Sequence, residues 1–76
     1  MKLEKALAVV IFKHRKEKKL SQEKLAELSN IHRTYISQIE RSLKSPTIGT
    51  VFSICKALEI NTSSLIKEIE DVLSSK

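Results

Sequence analysis

Along the chain, apolar residues recur three and four positions apart, and no stretch alternates apolar with polar residues long enough to make a strand. That period is helical. With one Gly and one Pro to punctuate it, the chain reads as all-α. Helix starts are located by hydrophobic staples, in which the residue before the N-cap packs on the fourth helical residue. The required spacing of five occurs at Leu20 and Leu25 around Ser21, Ile31 and Ile36 around His32, Pro46 and Val51 around Thr47, and Ile60 and Leu65 around Asn61. Ser, Thr and Asn are strong caps, whereas His32 is a poor one.

Five helices are therefore predicted, over about residues 3–18, 22–29, 33–42, 48–58 and 62–73. Their inward stripes are Leu3, Leu7, Val10 and Ile11 on the first; Leu25, Ala26 and Leu28 on the second; Ile36 and Ile39 on the third. The fourth contributes Ile48, Val51, Cys55 and Leu58, and the fifth Leu65, Ile66, Ile69 and Leu73. No repeat, linker or low-complexity segment interrupts the pattern, and the final Ser-Ser-Lys is expected to fray.

Asn30 to His32 join the second and third helices within the dimensions of a helix-turn-helix. So abrupt an end to the second helix asks for a left-handed residue, which Asn30 tolerates better than most, and Ala26 is small enough to let the two helices approach closely. With Ile36 and Ile39 facing inward, Arg33, Thr34, Ser37, Gln38 and Arg41 share one outward face. Arg can fork onto guanine O6 and N7, Gln onto adenine N6 and N7, and the Thr methyl can touch a thymine methyl, while Ser and Tyr hydroxyls reach phosphates. A polar face that simply keeps a small bundle soluble would show the same pattern. Arg33, Thr34 and Gln38 are the candidate base readers. Tyr35 could give its hydroxyl to a phosphate or pack its ring on the second helix.

The stretch LSQEKLAELSNIHRTYISQIERS (Leu20 to Ser42), followed by SPTIGTVFSICKALEI (Ser45 to Ile60), resembles the phage-repressor-like, or XRE, helix-turn-helix family of bacterial and phage transcription regulators. The likeness covers about residues 7–66. It implies a compact five-helix domain of the phage-repressor type, with the third helix in the major groove, Gln22 against a phosphate and Arg15 paired with Glu40. A phosphate beside Gln22 also suits the free N–H groups of a helix start. Within the family, RTYISQIER and a single helix after the fourth are similar to the controller proteins of restriction-modification systems, homodimers that regulate their own operon. Three positions depart from the family pattern: His32 stands where Ser or Asp is frequent, and Lys19 and Ser42 where Gly is. Ser42, Lys44 and Ser45, in the loop after the third helix, are candidate DNA-backbone contacts, with ordinary loop solvation the competing reading.

Size and charge sharpen this picture. A chain of 76 residues makes one small domain, residues 1–76, which at this length often leans on oligomerisation, a metal or disulfides. One cysteine excludes an internal disulfide. The net charge of +5 favours a polyanionic partner, and it is uneven: residues 1–58 carry 12 basic and 5 acidic side chains, residues 59–76 only 2 and 4. Double-stranded DNA is the expected partner. The run KHRKEKK (Lys13 to Lys19) suits the negative end of a helix dipole and reads as a solvated helix end more than a DNA contact. The fifth helix holds Leu65, Ile66, Ile69, Val72 and Leu73, more apolar surface than a small body requires, so part of this stripe is expected at a homodimer interface. A two-fold dimer would set two copies of the third helix about 34 Å apart, matching a palindromic operator.

The longest apolar run, ALAVVIF, is too short to span a membrane, so a soluble, cytoplasmic protein is expected, with no membrane partner. His14, His32 and Cys55 have no ligand spacing; no catalytic set, metal, cofactor or small-molecule ligand is expected, and the chain reads as a non-enzyme. Cys55 falls on the apolar stripe of the fourth helix and reads as core. The alternative of another class is a protein-interaction module such as the antitoxin half of a toxin-antitoxin pair. Membrane-surface binding through the first helix is disfavoured because its apolar side is needed for the core.

Overall fold

Residues 1–75 are described by a computed structural model, in which the chain forms α1 (Leu3–Glu17), α2 (Gln22–Ser29), α3 (Arg33–Glu40), α4 (Ile48–Leu58) and α5 (Thr62–Ser74). The expected helices are all present. α3 stops at Glu40 instead of residue 42, and α5 runs through Ser74, so the first serine of the tail is helical; Lys76, the last of the three, lies outside the described residues. α1 packs on α3 and α5, α2 on α3 and α4, and α4 on α5. The Cα radius of gyration is 11.3 Å, close to the roughly 11 Å of a close-packed chain of this length.

Four helices end on the same turn. Lys19, Asn30, Ser42 and Glu59 have φ of 60°, 57°, 63° and 59°, and the N–H of each following residue reaches back to a carbonyl of the last helical turn. These bonds run from Leu20 to Arg15 at 3.1 Å, Ile31 to Ala26 at 3.0 Å, Leu43 to Gln38 at 2.8 Å and Ile60 to Cys55 at 3.0 Å. This closes the orphan carbonyls of the helix end, at a cost of about 1–2 kcal/mol for each residue that is not Gly. Leu20, Ile31 and Ile60 then pack against the core and also stand just before the next N-cap. One apolar residue thus anchors the end of one helix and the start of the next.

Two capping expectations are corrected. His32 does cap α3: its ring Nδ1 accepts from the Thr34 N–H at 3.1 Å. Asn61 makes no side-chain cap bond to α5. Ser21 and Thr47 cap as expected, accepting from Lys24 N at 2.9 Å and Thr50 N at 3.2 Å.

The core gathers Leu7, Val10, Ile11, Leu25, Ile36, Ile39, Val51, Ile54, Cys55, Leu58, Leu65 and Ile69 with Ala6 and Ala26. Five residues assigned to inward stripes are exposed instead: Leu3, Leu28 and Ile48 are more than half exposed, and Ile66 and Leu73 are each 38% exposed. On α2 the buried stripe is Leu25, Ala26 and Ser29, which turns Leu28 outward by about 100°. Ser29 can occupy the core because its hydroxyl donates to the Leu25 carbonyl at 2.6 Å. On α4 the buried stripe is Val51, Ile54, Cys55 and Leu58, which leaves Ile48 to the side. Leu3 lies in the first turn of α1, at the end of the helix.

Candidate nucleic-acid interface

Ile36 and Ile39 are 0% and 1% exposed, and their burial fixes which edge of α3 faces solvent. Arg33, Thr34 and Arg41 are exposed on that edge, while Ser37 and Gln38 are half-buried. Tyr35 is half-buried and packs against the core. Among the described residues, neither Arg33, Arg41 nor Lys44 has a carboxylate within salt-bridge reach. Three cations are therefore left uncompensated around one short helix, which is the electrostatic footprint expected of a polyanion site.

The helix is held by its far end. Glu40 accepts from Arg15 Nε at 2.7 Å and Nη2 at 2.9 Å, and Arg15 Nη1 donates to the Leu20 carbonyl at 2.8 Å. Gln22 Nε2 also donates to Glu40 Oε1, at 3.0 Å. α1, the start of α2 and the end of α3 thus meet at one carboxylate. Gln22, expected to reach a phosphate, has one amide N–H committed to Glu40 and a second still free to donate. It lines a shallow cleft with Ser21 and Arg33, so the candidate phosphate contact and the candidate base reader border the same opening. Beyond α3, Ser42 is half-buried in its left-handed turn, whereas Lys44 and Ser45 are exposed in the loop leading to Thr47.

Most of the basic run at the end of α1 is engaged within the fold. Lys13 Nζ donates to Glu68 Oε2 at 2.9 Å and His14 Nε2 to Glu68 Oε1 at 2.7 Å, tying α1 to α5. The hydrogen bond from Lys13 holds the Glu68 carboxyl below its ordinary value; partial burial opposes this and His14 adds to it. The same bond raises the Lys13 ammonium. Burial pushes the Cys55 thiol up, as suits a core residue without thiolate chemistry. No three His, Cys, Asp or Glu side chains among the described residues are grouped so as to hold a metal ion. No helix among them is long and apolar enough to cross a membrane.

Along α5 the expected self-contact is redrawn. Leu65 and Ile69 are 0% and 4% exposed within their own chain, so they have no surface left to give to a second one. Ile66 and Leu73 are exposed and Val72 is half-buried. Ile66 lines an apolar groove between α4 and α5 with Ile48, Phe52 and Ile60. Phe52, 58% exposed, was not assigned from the sequence, although it lies four residues after Ile48 and so shares its side of the helix.

Residues 11–65 match the model of the helix-turn-helix family. The chain is 38% identical over 66 residues to the control protein C.SmaI of Serratia marcescens, covering 87% of this chain and 79% of that protein. It is 43% identical over 47 residues to the control protein C.BamHI of Bacillus amyloliquefaciens, covering 62% of this chain and 58% of that one. Its fold is also similar to that of the restriction-modification controller protein C.Esp1396I, solved bound to a 19 base pair DNA duplex: the TM-score is 0.89 at 36% identity, covering 99% of this chain and 100% of that one.

Proposed function

The chain belongs to the helix-turn-helix family, and on that premise we propose that it is a sequence-specific DNA-binding transcriptional regulator, a homodimer on a palindromic operator of the kind a restriction-modification controller uses. One observation carries the reading: α3 buries Ile36 and Ile39 and leaves Arg33, Thr34 and Arg41 outward, with both arginines unpaired among the described residues. In the major groove this edge supplies the forked donor that reads guanine and the methyl that reads thymine. Gln22, Lys44 and Ser45 flank it as backbone contacts, which set register without carrying sequence information. Ser37, Gln38 and Ser42 lie between these groups, and the Tyr35 ring supports the helix from behind. The similarity to control proteins and to a controller solved on duplex DNA supports both the ligand and the regulatory context.

Self-association is drawn from the groove of Ile48, Phe52 and Ile66, continued along α5 by Leu73, whereas Val72 lies on the side of α5 toward α1. The reading is tested by titrating the chain with a duplex selected from a random pool and with the same duplex scrambled, at one stated salt concentration. Preference of at least about a thousandfold for the selected duplex is expected. Equal affinity for both would overturn sequence-specific readout.

A further inference from the structure

The cap of α3 carries more than helix stability. His32 is exposed, and its Nδ1 accepts from the Thr34 backbone N–H at 3.1 Å. A backbone N–H can only donate, so Nδ1 is the unprotonated nitrogen and the ring proton resides on Nε2. Among the described residues Nε2 of His32 has no hydrogen-bond partner, in contrast to His14, whose Nε2 is bonded to Glu68. The capping bond therefore selects the tautomer and orients the ring at once, leaving one N–H donor outward, directly before Arg33 and Thr34. An Asp cap would satisfy the same backbone group with no donor at all, and a Ser cap would keep its single O–H one bond from Cβ, well short of the position Nε2 reaches.

We infer that His32 is a further DNA-contacting residue, donating from Nε2 to a hydrogen-bond acceptor on the duplex while Nδ1 holds the start of the recognition helix. The inference rests on the DNA-binding reading above. Its ligand chemistry is a neutral N–H donor meeting an oxygen or nitrogen acceptor, on a phosphate or a base edge. Because the cap fixes the ring before binding, little conformational entropy is lost on contact.

Three variants separate the two roles. His32→Ser keeps a cap but withdraws the donor to a hydroxyl beside the backbone; His32→Asn keeps a cap acceptor on Oδ1 and a longer-reaching donor on Nδ2; His32→Ala removes both. Each is titrated with a duplex selected by the wild-type chain and with its scrambled counterpart, and each is unfolded thermally. The expected result is that His32→Ser melts no lower than wild type yet binds about fivefold more weakly, with His32→Asn recovering most of the affinity. Loss on both duplexes assigns the acceptor to phosphate, and loss on the selected duplex alone assigns it to a base. The inference is overturned if His32→Ser binds both duplexes as tightly as wild type, or if His32→Asn is as weak as His32→Ala. Failure of the wild-type chain to bind any duplex would instead remove the DNA-binding reading beneath it.

Discussion

Arg15 and Glu40 close a two-point ion pair between α1 and α3, with side chains 9% and 4% exposed. All three nitrogens of Arg15 are engaged, the third bond going to the Leu20 carbonyl. The pair sets the position of α3 relative to the body, and through Gln22 it also sets the start of α2. Removing one partner leaves a buried charge without compensation, which costs about 3–5 kcal/mol, much of the stability of a small domain. Glu40→Ala is therefore expected to shift the urea midpoint strongly downward. The double variant Arg15→Met/Glu40→Leu is expected to recover most of the loss, since apolar replacement of both partners is often neutral. Additive losses in that cycle would contradict the pairing.

Lys19 sits at φ 60° with a side chain that makes no use of the conformation. Replacing it with Gly relieves the clash between Cβ and backbone, partly offset by the greater freedom of Gly in the unfolded chain. Lys19→Gly is expected to raise stability by about 1 kcal/mol, or a melting temperature by about 4–8 °C. Asn30→Gly should gain much less, because Asn already tolerates this region. Calorimetry on the two variants checks the ordering.

The clasp of Lys13 and His14 on Glu68 predicts a pH dependence with a definite sign. The Glu68 carboxyl is held below its ordinary 4.5, chiefly by the Lys13 hydrogen bond, so its contribution is complete above that value and is lost as pH falls through the lowered one. Lys13 is raised above 10.5, so its contribution is complete below that value and is lost as pH rises through the raised one. Glu68→Gln should flatten the acid limb of stability measured by urea unfolding from about pH 6 to about pH 3. An unchanged acid limb in Glu68→Gln would show that other carboxylates dominate it.

Two apolar residues on the adjacent helices α4 and α5 are expected to behave differently. Phe52→Glu places a charge in the exposed groove between α4 and α5, so sedimentation should report a monomer at concentrations where wild type is a dimer, with helicity unchanged. Leu65→Ala empties a fully buried site and should cost about 2–5 kcal/mol of stability by denaturation. A wild-type chain that is monomeric at every concentration would remove the proposed interface.

Arg33→Ala should relax base preference at one operator position by about 1–3 kcal/mol, while affinity for scrambled duplex changes little. Gln22→Ala should weaken all sequences alike and frees one lone pair of the Glu40 carboxylate. Binding to a panel of single-base operator variants distinguishes the two, and unchanged preference in Arg33→Ala would reject its assignment.

Much of this was legible locally. The staples placed the starts of α2 to α5 and periodicity the rest, every helix to within two residues; the burial of Ile36 and Ile39 was enough to turn Arg33, Thr34 and Arg41 outward, and Asn30 announced the left-handed turn. These features depend on neighbours a few positions away, which is the range over which periodicity and capping act. The left-handed Lys19, Ser42 and Glu59 were not announced by residue type, because closing the helix ends outweighs a local preference of about 1–2 kcal/mol. Nor could the pattern say that Ser29 would be buried and Leu28 exposed, that Leu65 and Ile69 would be enclosed while Ile66 and Phe52 faced outward, or that Gln22 would lean on Glu40. A helical stripe states which residues are apolar, but the helix that covers them, and the donor that arrives opposite a buried carboxylate, are fixed by distances between elements far apart in the chain.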